Sequence, residues 1–185
     1  MNIYDALSKD HREVERILDE ILVAANSTGD RWKSLLDELR NAVVPHSHAE
    51  EACFYNALRE SEHGKGLVLH SYNEHAMAEG EIRTLGAAKL VDAKWTSLLQ
   101  KLNKDLRHHV QEEESKVYEA ARKAFTDQEA EQIGAAFERL KEAMKKDGDS
   151  MTSSTIDLVV NLLPPRLTDM FRKNVNVKAK KPHAA

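Results

Sequence analysis

Residues 45–55, PHSHAEEACFY, place His46 and Glu50 four positions apart, with Glu51 next and Tyr55 at the end. The figure returns as His109, Glu113, Glu114 and Tyr118 in HVQEEESKVY. Residues four apart on an α-helix share a face, one turn apart. Two such pairs on facing helices would bring two imidazoles and two carboxylates to one level of a helical bundle. That donor set suits a hard or borderline cation.

Around each pair runs an apolar seam at spacings of three and four, the period of an amphipathic helix. The first pair lies in a predicted helix over about 31–61, with Trp32, Leu35, Leu39, Val43, His46, Glu50, Cys53 and Ala57 on its seam. Pro45 is expected to bend this helix just ahead of the pair. The second pair lies in a predicted helix over about 92–123, entered at Asp92 and lined by Leu98, Leu102, Leu106, His109, Glu113 and Val117.

Each of these helices follows another. Over 3–25 the seam reads Ile3, Leu7, His11, Val14, Leu18 and Ile21, ending at NSTGD (26–30), with Gly29 as stop signal and Asp30 as N-cap. After HGKG (63–66), a helix to about 88 carries Val68, Ser71, His75, Ala78, Ile82 and Leu85. Asp10-His11 stands before His46 as Glu74-His75 stands before His109, so the chain reads as two helical hairpins related by a pseudo-two-fold axis. Four amphipathic helices joined by short loops predict an all-α, up-down-up-down four-helix bundle. Abundant Ala, Leu, Glu and Lys, with only 7 Gly and 4 Pro, agree with that class.

Additional helical segments follow. A fifth helix is predicted over about 127–146, capped by Asp127, and KKDGDS (145–150) ends it. STIDLVVNLL is apolar enough to pack before Pro164-Pro165 stops it, LTDMF (167–171) suits a short turn or helix, and NVNVKAKKPHAA reads as a disordered tail. The expected division is a bundle with its fifth helix over 1–148 and an extension over 149–185.

Composition excludes other classes. A formal net charge of −4 leaves no basic footprint for nucleic acid. Cys53 is the only cysteine, so neither an intrachain disulfide nor a thiolate metal site is expected. Without a secretory h-region or a stretch near the ~20 apolar residues of a membrane span, a cytoplasmic protein is expected.

Of nine histidines, only His11, His46, His75 and His109 fall on the seams, together with Glu50 and Glu113. Buried, unpaired carboxylates cost several kcal/mol, so two of them facing four imidazoles point to cations. His48, His63, His108 and His183 lie off the seams or in loops and read as solvated. Glu51 and Glu114, about 100° from their neighbours, read as supporting or surface groups. Tyr55 and Tyr118, five past the glutamate, are expected off the seam, packing against a flanking helix. Tyr4, two turns before His11, is expected to line an approach. His70, one residue out of register with Ser71, is a candidate seventh ligand, because the first turn of a helix can depart from ideal geometry. Imidazole and carboxylate without sulfur suit Fe, Mn, Zn or Ni.

The full set, carried by KDHREVERIL, PHSHAEEACFY, HSYNEH and HHVQEEESKVY over about residues 1–123, resembles the hemerythrin-like (HHE cation-binding) family. The resemblance implies two non-haem iron ions, oxo- or hydroxo-bridged, in a four-helix bundle that takes O2 or a related diatomic or peroxide ligand for carriage, sensing or protection. It implies Glu50 and Glu113 as bridges, His11 and His46 on one iron, and His75 and His109 on the other. In oxygen-carrying members the second iron has a third histidine four residues before the one matched by His75; Ser71 stands there, and His70 is the nearest substitute. Their last carboxylate is an aspartate five after its histidine, where this chain has Glu113 at four. A peroxide- or nitric-oxide-consuming di-iron enzyme is the alternative. Monomer and homodimer both remain open.

Overall fold

A computed structural model of the chain describes residues 1–25, 29–147, 152–169 and 171–172. Among them there is no strand. The elements are α1 (Ile3–Ala25), α2 (Arg31–Glu50), a π-helical turn (Glu51–Tyr55), α3 (Asn56–Arg59), α4 (Lys65–Gly86), α5 (Ala93–Glu112), a second π-helical turn (Glu113–Val117), α6 (Tyr118–Ala124), α7 (Asp127–Asp147) and α8 (Ser153–Leu162). Helix α1 packs on α2 and α5, and α4 packs on the same two, closing a ring of four. Helix α7 lies against α1 and α2, and α8 against α7. No described helix is long and apolar enough to cross a membrane.

The core comes in two apolar clusters with the seam histidines between them. One takes residues that follow the histidine in α1 and α4 (Val14, Leu18, Ala78, Ile82) and precede it in α2 and α5 (Trp32, Leu39, Trp95, Leu102). The other takes Leu7 and Val68 from before the histidine, and Phe54, Leu58 and Val117 from after it. That inversion is what antiparallel neighbours require, and it sets all four histidines at one level. At the first end Trp32 meets Trp95 edge-on at 5.2 Å, and Trp95 donates its indole N–H to the Leu85 carbonyl at 3.1 Å. At the other end α7 and α8 cover the bundle through Ile133, Phe137, Leu140 and Val159, all fully buried. Gly134 makes that cover close, since a Cβ there would lie 2.6 Å from the Met1 carbonyl oxygen.

Local signals act largely as expected, with shifts at the helix ends. The Asp92 side chain accepts from the Trp95 amide at 2.8 Å and starts α5. Asp30 makes no side-chain cap bond; the first turn of α2 instead closes on its carbonyl, from the Lys33 amide at 3.0 Å. Thr126 rather than Asp127 caps α7, in a reciprocal pair with Glu129 in which each side chain accepts the other's amide at 3.3 and 2.9 Å. The backbone stays helical through Pro45, and α geometry first gives way after Glu50. Gly29, at φ 121°, does occupy the left-handed stop. Residues 165–169, overlapping LTDMF, are helical. The NVNVKAKKPHAA tail and His183 lie outside the described residues.

Candidate metal centre

At each His–Glu pair the α-helix gives way to a π-helical turn, just after Glu50 in the first and at Glu113 in the second. In the first, the Asn56 amide reaches back five residues to the Glu51 carbonyl. In the second, the Tyr118 amide does the same to Glu113. Single π turns inside helices are rare and gather at functional sites. The wider turn returns the fifth residue to the face of the first. Tyr55, expected off the seam, is therefore fully buried and stacks on His75 with ring centroids 5.5 Å apart and planes 17° apart.

His11, His46, Glu50, His75, His109 and Glu113 are all buried, at most 5 % exposed, and gather in one cluster. The Nε2 atoms face inward. Glu50 Oε2 lies 3.5 Å from His46 Nε2 and 3.5 Å from His75 Nε2. Glu113 Oε2 lies 3.2 Å from His11 Nε2 and 3.6 Å from His109 Nε2. His75 and His109 meet through their Nε2 atoms at 3.2 Å, while the His11 and His46 rings stand edge-on at 5.2 Å. Glu50, His75 and His109 offer ligand atoms that all fall within 4.8 Å of one another.

The Nδ1 atoms face outward, and each meets a carboxylate. His11 pairs with Glu114 at 2.9 Å, His46 with Asp10 at 3.1 Å, His75 with Glu51 at 3.3 Å, and His109 with Glu74 at 2.9 Å. The arrangement has two-fold logic. The acid before the first histidine of each hairpin (Asp10, Glu74) holds the second histidine of the same hairpin. The acid after each inner glutamate (Glu51, Glu114) holds the first histidine of the opposite hairpin. A carboxylate on Nδ1 fixes the tautomer that turns the Nε2 lone pair inward, which is the usual support of a metal-binding imidazole. Asp10 in turn receives the buried ammonium of Lys141, from α7, at 2.7 and 2.9 Å. Phe137, one turn earlier on α7, packs edge-on against the His46 ring at 5.6 Å.

The inner atoms are short of partners. Among the described residues, both carboxylate oxygens of Glu50 and of Glu113, His11 Nε2 and the Tyr55 hydroxyl are buried without a hydrogen bond. Burial and the adjacent Glu113 push the Glu50 carboxyl well above the usual carboxylate range. Burial alone would depress His11, but Glu113 and Glu114 on its two nitrogens outweigh it and raise it to about 9. Burial dominates at His46, lowered to about 4 despite Asp10, and also lowers His75. Two acids and four imidazoles at one buried level satisfy their charges and lone pairs together only around cations, so the donor set fits metal binding.

His70 falls outside the cluster. Its side chain is 63 % exposed, with Nε2 3.1 Å from Glu74 Oε1, and buried Ser71 occupies the inward position. His108 is exposed, His63 is exposed, and His48 pairs with Glu79 at 3.1 Å. Tyr4 lies beside Tyr118 at 5.2 Å with Arg122 over its ring, at the edge of the cluster that α7 and α8 cover. Sequence reasoning left Asp10 and Glu74 without a role, although both stand in the repeat beside His11 and His75. It gave no role to Lys141, whose signal is a lysine on the inner face of α7.

The hemerythrin HHE cation binding domain family model matches residues 2–121. A hemerythrin-like protein of Schizosaccharomyces pombe is 25% identical over 142 residues, covering 75% of this chain and 68% of that protein. A protein of Nostoc sp. named DNA nickase is 22% identical over 146 residues, covering 79% of this chain but only 41% of its own length. No solved structure matches.

Proposed function

From the premise that this chain belongs to the hemerythrin HHE cation-binding family, we propose that it is a non-haem di-iron protein that binds O2 or a related small ligand. His11 and His46 hold one ion, His75 and His109 the other, and Glu50 and Glu113 lie between the two. The observation that carries this reading is the reach of the glutamates. Each buried carboxylate stands within 3.6 Å of one histidine from each pair, and no lysine or arginine is paired with it among the described residues. A carboxylate so placed serves two cations better than one.

Iron bound there would supply redox-active positions for a small oxidant. The chain's own residues orient the ligand imidazoles through four carboxylates and exclude bulk water with apolar clusters on either side. They also keep the Tyr55 hydroxyl, a hydrogen-bond donor, beside the acids, with Glu50 and Ser71 as its side-chain neighbours. Ser71 at the inward position of α4 favours a second reading. With His70 turned outward, each ion would be held by two histidines, with Glu50 and Glu113 shared, so the chain would offer the two ions equal donor sets. That symmetry suits peroxide or nitric-oxide consumption as well as reversible binding.

Optical spectra of the iron-loaded protein under air and argon test the proposal. A visible band that comes and goes with oxygen is the expected result. Gas evolution with bleaching on adding peroxide would move the assignment to the enzyme, and absence of any iron-dependent band would overturn both.

A further inference from the structure

A second cluster of metal-binding groups lies outside the buried centre, on the solvent face where α4 and α5 run side by side. We propose that His70, Glu74 and Glu112 form a separate, surface divalent-cation site joined to the centre through Glu74. Their ligand atoms all fall within 4.8 Å of one another. His70 Nε2 lies 3.1 Å from Glu74 Oε1 and 3.9 Å from Glu112 Oε2. His108, on the same side, brings its Nε2 to 3.8 Å from that Glu112 oxygen. Lys116 occupies the other oxygen of Glu112, so the free one is presented toward the two imidazoles.

The pseudo-symmetry of the bundle supplies an independent argument. Asp10 and Glu74 occupy equivalent places, each accepting from the Nδ1 of the second histidine of its hairpin. At Asp10 a cation is built in, because the Lys141 ammonium from α7 sits on both carboxylate oxygens. Helix α7 covers α1 and α2 and leaves the α4–α5 side open. Among the described residues no lysine or arginine reaches Glu74, and His70 with Glu112 surrounds its outer oxygen instead. A divalent ion there would complete for Glu74 what Lys141 completes for Asp10. The donors, imidazole and carboxylate without sulfur, suit Zn2+, Mn2+ or Fe2+. Partial solvent exposure of all three groups and the absence of an enclosing wall make the site exchangeable, unlike the centre.

The test is a Zn2+ titration of the full, iron-loaded protein by calorimetry, comparing wild type with His70→Ala, Glu112→Gln and His48→Ala. His48 with Glu79 forms another His–Glu pair, half-buried, outside both clusters and serves as control. Wild type and His48→Ala are expected to take one further Zn2+ per chain, and His70→Ala and Glu112→Gln to bind it at least tenfold more weakly, with iron content and melting temperature unchanged. Equal Zn2+ binding by wild type and His70→Ala, or equal loss in His48→Ala, would overturn the proposal. The site does not depend on the di-iron reading. Failure of that reading would appear as low tightly bound iron in every variant, with the Zn2+ difference intact.

Discussion

Asp10→Asn separates the support of a ligand from the ligand itself. The native carboxylate accepts from His46 Nδ1 at 3.1 Å and from the Lys141 ammonium at 2.7 and 2.9 Å. Burial would raise its pKa, but His46 and Lys141 outweigh burial and hold it at about 2. A depressed carboxylate contributes stability above its ordinary value and loses it as pH falls toward the folded value. In the metal-free protein that contribution therefore fades between about pH 4 and pH 2. Asparagine keeps the shape and removes the charge. Charge-assisted hydrogen bonds contribute about 1.5–3 kcal/mol, and Glu138, 2.9 Å from Lys141, remains as partial compensation. A loss of about 1–3 kcal/mol in urea unfolding near neutral pH is expected, together with metal affinity reduced by about 10–100-fold, the usual cost of removing such a support. Chelator competition measures the second quantity. Lys141→Met should also lower stability but leave affinity within about threefold, because His46 keeps its carboxylate. Metal affinity unchanged in Asp10→Asn, or lowered as much in Lys141→Met, would refute the reasoning.

Three further outcomes follow from packing and charge. Phe137→Ala should cost about 3–5 kcal/mol in denaturant unfolding, since it empties a fully buried ring site against His46. Gly134→Ala should destabilise by about 1–3 kcal/mol because its Cβ meets the backbone of residues 1–3, whereas Gly66→Ala, with nothing within 4 Å, should stabilise by about 0.4–1 kcal/mol. Equal melting temperatures for the two would contradict the close approach of α7. Arg166 beside Glu129 holds that carboxyl at about 2, so its stabilising effect is present above its ordinary value of 4.5 and lost as pH falls toward 2. The pair is partly exposed and is worth about 0.5–1 kcal/mol at most. In urea unfolding the stability difference between wild type and Glu129→Gln should be present at pH 6 and shrink toward zero as pH falls through that window.

The seams made most of this fold readable. Apolar residues at every third or fourth position place His11, His46, Glu50, His75, His109 and Glu113 inward from the sequence alone, because helical period and hydrophobic spacing are local properties. The supports were half-legible. Glu51 and Glu114 stood out by their offset, but Asp10 and Glu74 act on histidines of the next helix, and a contact across helices leaves no periodic trace. Tyr55 lies inward because a π turn, which carries no sequence signature, replaces the α geometry that the seam implies. Lys141 stands on the inner face of α7, but only the packing of α7 beside Asp10 gives its buried ammonium a partner. At Thr126 and Asp127 the capping chemistry was right in kind and displaced by one residue, the ordinary uncertainty of helix ends.

In the proposed centre the six buried side chains hold two ions, and His70 holds neither. Tightly bound iron counted per chain after anaerobic loading and desalting tests it most directly, in wild type, Glu113→Ala and His70→Ala. Two ions are expected in wild type and in His70→Ala, and fewer than one in Glu113→Ala. One ion or fewer in wild type, or a loss in His70→Ala equal to that in Glu113→Ala, would contradict it.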